Sequence, residues 1–392
     1  MPTSQIILSY AKQPKILAGH PWVYPKAIHE IKGTPEAGDW VEIYDSKLQR
    51  IGAGFYNPNS LYRVRMMADI PLLKHFSKWP DIIKYRLEKA VLLRQTMRLP
   101  NENNTAYRLF NSESDGLSGL IIDAFHQILV ISSNAYWTEL YREQILEILT
   151  ELMPNLQTIW IGQSKTLKKD GWNTPHQDDT SGLKTQVKED GIIFEINFEN
   201  IQKTGIFIDQ RENHQRLAEL AKGKKVLDLY TYHGGFALHA ARAGAEKVTA
   251  VDSSKNAIIH AKHNATLNNI NNIEWIEGDA KDYLKIAGDY DIVILDPPKL
   301  IPSKRNIEAA KNLYRFLHRE TFKHIKSGSI LMTCNCSSAL STNEFTKLVA
   351  QQALAEHQSI QILGTYGPSI CHPILPIFPE GQYLTALLIA VK

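Results

Sequence analysis

Two short stretches carry the residue types that do covalent chemistry. Asn335-Cys336-Ser337 follows a predicted strand, Ser329 to Thr333, and Asp296-Pro297-Pro298-Lys299 follows another, Tyr290 to Leu295. Ligands of an open α/β sheet sit at the carboxyl ends of its strands. A thiol and a carboxylate at two such ends can therefore face one bound group. A thiolate adding to C6 of a cytosine makes C5 enamine-like and able to take a methyl group from a sulfonium. A base then removes the C5 proton, and the thiol leaves by elimination. Covalent catalysis of this kind divides one hard step into easier ones. Cys336 is the candidate nucleophile, reactive as its thiolate. Asp296 is placed to hold the cytosine edge and, if protonated in a partly buried site, to donate to N3. Pro297 and Pro298 fix the backbone after the strand. Lys299 is a candidate for binding phosphate or steadying negative charge. A base paired in a duplex would have to be flipped out to reach such a site. The bland alternative is that a cysteine at a strand end is only a small hydrophobe; an Asp-Pro-Pro opposite it weighs against that. Cys334 points to the same face if the strand continues, where a packing role is expected. Cys371, before His372-Pro373, has no assigned role.

The stretch Lys225 to Phe236 reads as a strand, a glycine turn and a helix start. Glycines there let the backbone approach a ligand closely. The next strand, Val248 to Asp252, ends in a carboxylate roughly 20 positions on, where ribose hydroxyls are bound. Asp279 follows the third strand and can accept from an adenine amino group. The cofactor-binding candidates are thus Asp228, Tyr230, Thr231, Tyr232, Gly234 and Gly235 at the first turn, Asp252 and Ser253 at the second, Asp279 and Ala280 at the third, and Asp296 and Pro297 at the fourth. The turn is His-Gly-Gly-Phe and lacks the GxGxxG spacing that cradles a pyrophosphate. A cofactor with adenosine and no phosphate fits better, and S-adenosyl-L-methionine, with S-adenosylhomocysteine as product, is one. A single Asp at a strand end is unremarkable; four in register (Asp228, Asp252, Asp279, Asp296) are not. His233 at a helix entry reads as structural.

Elements must position these groups, and the chain is long enough to supply them. Its 392 residues imply roughly two to three domains. Residues 1–72 carry short β-rich runs (Gln5 to Ser9, Trp40 to Tyr44, Ile51 to Tyr56, Leu61 to Met67) and suggest a small β-barrel. Residues 73–200 mix a helix from Asp81 to Met97, a hairpin of Leu120 to Asp123 with Ile128 to Ser132, a helix from Trp137 to Leu152, and strands Thr158 to Ile161 and Ile192 to Asn197. The polar Ser164 to Lys188 reads as a mobile loop or hairpin. Residues 201–392 alternate strand and helix, the pattern of a doubly wound parallel sheet, with Tyr383 to Val391 as a buried closing strand. The apolar 43% and charged 22% are those of a globular protein. A net charge of +3 excludes a polybasic tail and leaves room for a local basic face. Three cysteines cannot make a paired disulfide framework, so a reducing cytoplasm is expected. No run of about 18 apolar residues predicts a membrane span, and metal-ligand spacing such as HExxH or paired CxxC is absent among the 14 histidines and three cysteines.

The chain resembles the large-subunit ribosomal RNA cytosine-C5 methyltransferases that carry an N-terminal PUA domain. The likeness rests on His20-Pro21-Trp22-Val23-Tyr24, on Glu113 to Gly119 (ESDGLSG), on Lys203 to Arg211 (KTGIFIDQR), on Tyr232 to Phe236, on Asp296 to Lys299, on Asn335-Cys336-Ser337 and on Pro379 to Leu384 (PEGQYL). Together these are specific; Asp-Pro-Pro-Lys alone is not. The resemblance implies a PUA-like barrel, a central α/β domain and a class I methyltransferase domain with a Rossmann-like sheet. It implies S-adenosylmethionine as donor and a cytosine of 23S ribosomal RNA as acceptor. It also implies that Asp209, Gln210 and Arg211 lie near the cofactor; the plainer reading makes Asp209 the cap of a helix from Gln210 to Leu220. His233, Cys334, Asn335, Leu300 and Cys371 depart from the family pattern, which leaves the reaction class intact and the target base open.

For RNA contacts the chain offers Lys12, Lys15, Lys26, Arg63 and Arg65 in the barrel and Lys165, Lys168 and Lys169 in the loop, with Trp22, Tyr24, Phe55 and Tyr56 as stacking candidates. A solvated face and a barrel core are the plain alternatives. A monomer and a symmetric dimer both fit. Two rival functions remain from sequence: amino methylation of adenine or guanine, which would leave Cys336 idle, and a cofactor-binding RNA scaffold without turnover.

Overall fold

The strand–helix alternation after Lys224 becomes a seven-stranded sheet. Its strands are β1 (Lys225–Leu229), β2 (Lys247–Asp252), β3 (Ile273–Glu277), β4 (Ile292–Leu295), β5 (Ile330–Cys336), β6 (Ile360–Tyr366) and β7 (Leu384–Val391), in the spatial order β3-β2-β1-β4-β5-β7-β6. The first five are parallel, and β7 runs antiparallel to both β5 and β6. This computed structural model describes residues 3–200, 206–300 and 307–392. Residues 203–205 of the KTGIFIDQR stretch, and the expected domain start at 201, lie outside them.

Helices cover both faces of the sheet, so β1 is buried except at Lys225 and β4 is buried throughout. Successive residues of a strand point to opposite faces. Leu227 and Leu229 of β1 accordingly pack with Tyr314, Phe322 and Phe345 in one core. Val226 packs with Phe236, Val248 and Met332 in the other. The flanking helices are α1 (Arg211–Ala218), α2 (Gly235–Arg242), α3 (Lys255–Leu267), α4 (Ile307–His324) and α5 (Thr342–Ala355). A reciprocal cap starts α5: the Ser341 hydroxyl accepts from the Glu344 N–H, and the Ser341 N–H donates to the Glu344 carboxylate. Chain direction through the sheet reverses between β1 and β4, and a crevice for ligands forms at such a switch point.

The chain divides into two units. The one just described holds Glu102–Asn104, Gly182–Ile370 and Gln382–Lys392; the other holds the chain up to Asn101, Thr105–Ser181 and Cys371–Gly381. The second of these has a mixed six-stranded sheet built from residues between Gln5 and Asp69, and a four-stranded sheet built from Ala106–Asn111, Leu120–Phe125, Ile128–Ser133 and Gln157–Gly162. Phe55 of the first sheet stacks on Trp137, ring centroids 4.9 Å apart, within a core that includes Phe110 and Trp160.

Several expectations change. The strand expected from Tyr383 to Val391 is buried and runs Leu384–Val391, but a further strand, β6, lies outside it; β6 went unread because most of its residues are exposed and show no apolar alternation. The helix expected from Trp137 to Leu152 is two, Tyr136–Leu140 and Arg142–Leu152. They part at Tyr141, whose ring packs 4.3 Å from that of Trp79 and whose hydroxyl donates to the Gly38 carbonyl. Within 164–188, read as a loop or hairpin, Ser164–Lys169 is helical, and the end of the segment enters a hairpin in which Lys184–Glu189 pairs antiparallel with Ile192–Asn197. Phe55 and Tyr56 are core, not stacking platforms. Arg65 is buried too: it donates to Ser118 Oγ (2.8 Å) and to Asp170 Oδ2 (3.1 Å), so it offers nothing to a phosphate.

Removing one partner of a buried ion pair leaves the other charge uncompensated, a loss of about 3–5 kcal/mol. Arg65→Ala is expected to destabilise the unit around Asp170 on that scale in urea unfolding, and Arg65→Ala/Asp170→Ala is expected to recover part of the loss.

Candidate functional site

Backbone geometry at the end of β1 shapes the site. Tyr230 and Tyr232 adopt positive φ, 68° and 51°, values uncommon for non-glycine residues. The Tyr230 and Thr231 N–H groups both donate to the Val251 carbonyl at 3.0 Å. Gly234 also has positive φ, 86°, and a Cβ on it would fall 2.8 Å from Trp275. The turn is therefore closed to larger residues at that point. Asp228 holds it from within: one carboxylate oxygen accepts from Thr231 Oγ1 (2.6 Å) and from the Ala237 N–H at the start of α2 (3.1 Å). Its other oxygen is buried without a hydrogen-bond partner. Burial raises the Asp228 pKa to about 6, against the lowering effect of Thr231 and His214.

The four strand-end carboxylates are not level. Leu229 pairs with Val251 and with Leu295, so Asp252 and Asp296 lie level with Tyr230; Asp228 sits two residues short of that line and Asp279 two beyond Glu277. Asp252, half-buried, accepts from the Tyr232 N–H (3.0 Å) and the Ser254 N–H (2.8 Å). Ser253 is exposed. Asp279 is exposed, caps the short helix Ala280–Tyr283 and pairs with Lys281 at 3.0 Å; Ala280 beside it is buried. Of the remaining cofactor candidates, Pro297 is buried and Gly235 opens α2.

Asp296 is half-buried, and the two ends of its carboxylate face different partners. Oδ2 accepts from Gln210 Nε2 at 3.0 Å, and Oδ1 lies 3.8 Å from Cys336 Sγ, which donates to it. Burial raises the Asp296 pKa from 3.8 to about 7; Asp209 and Asp228 add to the rise, while His214 and Gln210 oppose it. Burial and the Asp296 charge also hold the Cys336 thiol well above its ordinary range, and Lys299 pulls the other way. Lys299 and Pro298 are exposed. Because β5 continues through Cys336, Cys334 faces the same side; burial is the main cause that keeps its thiol neutral, with Asp296 and Cys336 next. Asn335 points the opposite way, accepts from Tyr314 Oη (3.2 Å) and donates to the Ser337 and Leu340 carbonyls, which fixes the backbone on both sides of the nucleophile candidate.

Gln210 is oriented by its neighbours. Its Oε1 accepts from Asn213 Nδ2 (2.7 Å), and Asn213 Oδ1 accepts from Arg216 Nη1 (3.1 Å). With the amide oxygen so engaged, the amide nitrogen is left to donate to Asp296. Arg216 itself lies over the Tyr366 ring at 4.3 Å. Asp209 does not cap the helix: α1 starts at Arg211 with Gln210 as N-cap, and Asp209 Oδ2 accepts from Tyr383 Oη at 2.7 Å. Arg211 is buried and donates to Ser369 Oγ and Glu212 Oε1, both 2.9 Å away. Thus Asp209, Gln210, Asp296 and Cys336 come together, while Lys299, Ser253 and Asp279 stand at the exposed margin. Tyr383 and Asn213 went unassigned in the sequence. Tyr383 lies in the PEGQYL stretch, and Asn213 follows Gln210 at the three-residue spacing that places side chains on one helix face.

The residues suit a nucleoside-bearing sulfonium. Gly234 offers backbone at close approach, and Asp252, half-buried, has carboxylate acceptor capacity beyond its two N–H donors. Among the described residues one group of His and acidic side chains, Glu189, His214 and His239, lies close enough together to hold a metal ion.

Comparison with known proteins follows the same division. Residues 6–69 match the family described as PUA-like domain, and residues 179–364 match the family described as S-adenosylmethionine-dependent methyltransferase. The chain is 32% identical over 397 residues to ribosomal RNA large subunit methyltransferase I of Alteromonas mediterranea, covering 99% of each. It is 31% identical over 396 residues to the protein of the same name in Aeromonas salmonicida, again covering 99% of each. Among solved structures it is similar to an S-adenosylmethionine-dependent methyltransferase from Streptococcus mutans (TM-score 0.81, 19% identity, 98% of this chain and 99% of that one). It is also similar to a methyltransferase crystallised with SAH (TM-score 0.82, 19% identity, the same coverage).

A carboxyl group whose pKa rises on folding binds its proton more tightly when folded. Asp296 therefore disfavours the folded state increasingly as pH climbs from its unfolded value, 3.8, through about 7. Asp296→Asn is expected to raise the thermal midpoint at pH 8, and the gain is expected to vanish as pH falls to 4. A midpoint difference independent of pH would contradict this.

Proposed function

The chain belongs to the ribosomal RNA large subunit methyltransferase I family, and we propose that it forms 5-methylcytosine in 23S ribosomal RNA through a covalent bond between Cys336 and the target base. The observation that supports this most is the 3.8 Å approach of Cys336 Sγ to Asp296 Oδ1 at adjacent strand ends. A DPP site that methylates an exocyclic amine has no use for a thiol there. A scaffold without turnover has no use for a carboxyl group poised near neutrality beside one.

When bound, S-adenosylmethionine supplies an electrophilic methyl group. The turn from Tyr230 to Gly235 and the Asp252 carboxylate are the residues to hold it, the latter toward ribose hydroxyls. The rest is done by side chains. Asp296, with a pKa near 7, accepts the Cys336 proton on Oδ1 as sulfur bonds to C6 of the cytosine. The same proton then passes to N3, so the electron density pushed into the ring is neutralised where it accumulates. C5 is thereby made nucleophilic toward the methyl group. After transfer, a base removes the C5 proton, the C6–S bond breaks by elimination to release the thiolate, and the N3 proton returns through Asp296 to sulfur, restoring the thiol and a neutral ring. Gln210 keeps Oδ2 engaged and presents Oδ1 to sulfur. Asp209, anchored by Tyr383, adds negative charge nearby and so helps to hold the Asp296 proton until it is delivered.

Trp22 and Tyr24, half-buried, gather with Tyr62, which stacks on Trp22 at 3.8 Å. Exposed Lys12, Lys15, Lys26, Lys165, Lys168 and Lys169 are available for phosphate contacts in the same unit. Such contacts give affinity without sequence choice. A nucleophilic thiol must stay reduced, and all three cysteines are free, so we place the protein in a reducing cytoplasm. No helix of the described residues is long and apolar enough to cross a membrane.

Cys336→Ala is expected to abolish methyl incorporation into large-subunit RNA, a fall of more than about a thousandfold, with SAH affinity changed less than about twofold. Methyl transfer at the wild-type rate would rule out the covalent route. Mass mapping of ribosomal RNA from cells lacking the protein identifies the base: one cytosine that has lost its methyl group is expected, and an unmethylated purine would favour amino methylation instead.

A further inference from the structure

Beside the transfer site lies a buried group of charges that the mechanism above does not use. His214 stands one turn after Gln210 on α1, and its N–H donates to the Gln210 carbonyl (2.9 Å). Its ring is buried, and Nδ1 lies 2.6 Å from Oε1 of Glu189, which is only 1% exposed. His239 of α2 approaches the same oxygen with Nε2 at 3.7 Å. Its Nδ1 lies 2.8 Å from the Gly235 carbonyl, and a carbonyl only accepts, so Nδ1 carries the hydrogen. His239 Nε2 is buried without a hydrogen-bond partner. A buried carboxylate this enclosed needs a cation against it. The short bond to His214 supplies one.

The ring of His214 also touches the cofactor turn. A Cβ built on Gly235 would lie 2.5 Å from His214 Cε1 and 2.6 Å from Nε2. Phe236 packs edge-on against the same ring, centroids 4.4 Å apart. The charged and titratable groups that act on His214 and its partner are Glu189 from the hairpin, His239 from α2, Asp228 from the end of β1, Asp296 from the end of β4, and Arg211, one turn earlier on α1, which acts on Glu189. Asp190 acts on His239, and Asp209 on Asp296. Burial alone would strip the proton from His214; Glu189, then Asp296 and Asp228, reverse this and raise its pKa. Burial keeps His239 neutral instead.

We propose that His214 is a positioning residue of the transfer site: a buried imidazolium, held by Glu189, on whose ring the Gly235 turn rests and whose charge stands opposite Asp228 and Asp296. The pair does for Asp296 what a distant lysine cannot do through solvent, since charge acts further where water is excluded. The 2.6 Å separation of Nδ1 and Oε1 is that of a charge-assisted hydrogen bond with a proton between them. Two ligands of one zinc ion, each about 2 Å from the metal in a tetrahedron, stand farther apart. The inference rests on the functional reading only through the role of Asp296; the charge on the ring does not.

Two measurements test it. In ¹⁵N-labelled full-length protein, both His214 ring nitrogens are expected to show protonated shifts at pH 8, and a neutral ring at pH 7 would overturn the proposal, as would zinc that remains stoichiometric after dialysis against a chelator. For catalysis, His214→Gln is expected to move the limb of the kcat/KM profile governed by Asp296 upward by about one pH unit, a tenfold change in its protonation ratio, because loss of a nearby positive charge disfavours the carboxylate. His214→Arg is expected to restore the limb. An active His214→Gln enzyme with the wild-type limb would overturn the role. If that variant does not fold, the ring titration of the wild-type protein decides alone. Absence of methyl transfer by the wild-type protein would count against the functional reading and leave the ring titration standing.

Discussion

Everything at this site depends on keeping one carboxyl group, Asp296, between two states. In water it would be ionised and inert toward a thiol; in a dry interior it would be locked neutral. Burial lifts its pKa to about 7, and the surrounding groups are balanced, two acidic neighbours against a cation and an amide donor. A group so poised can take a proton and give it back at neutral pH. Cys336 needs such a partner, because burial makes its own thiolate costly.

The fold delivers this balance through ordinary means. Parallel strands β1 and β4 bring the turn and Asp296 to one end of the sheet, and β5 beside β4 brings Cys336 to the same end. Antiparallel β7 continues the pairing beyond β5, opposite Cys336 itself (Cys336 with Leu384), so the nucleophile candidate sits on paired strand rather than on a loop. The positive φ angles at Tyr230 and Tyr232 are held by hydrogen bonds to β2. A relay of side chains from Arg216 through Asn213 and Gln210 decides which oxygen of Asp296 meets the thiol.

The alternation of strand and helix made the class of the sheet legible; the strand ends pointed to Asp296 and Cys336 of the candidate site, and the family resemblance to Asp209 and Gln210. What the sequence withheld has physical reasons. Four carboxylates look equivalent on paper, yet pairing register recesses Asp228 by two residues, and it braces the turn from below. Arg65 reads as an RNA contact by charge alone; its partner Asp170 is 105 positions away, a closure no local pattern announces. Glu189 drew no reading from sequence, because the hairpin buries it against a histidine 25 residues on, a contact with no local signature. Helical spacing from Gln210 to His214 was the one local sign that the two share a face. Edge strand β6, largely exposed, carries no burial signature to read.

The most direct test uses RNA in which the target cytosine is replaced by 5-fluorocytosine, incubated with the protein and S-adenosylmethionine and then digested for peptide mass analysis. Fluorine at C5 blocks the final proton removal, so a methylated fluoropyrimidine nucleotide is expected on the peptide bearing Cys336. A clean absence of adduct, with ordinary RNA methylated in parallel, or an adduct on Cys334 alone, would contradict the mechanism.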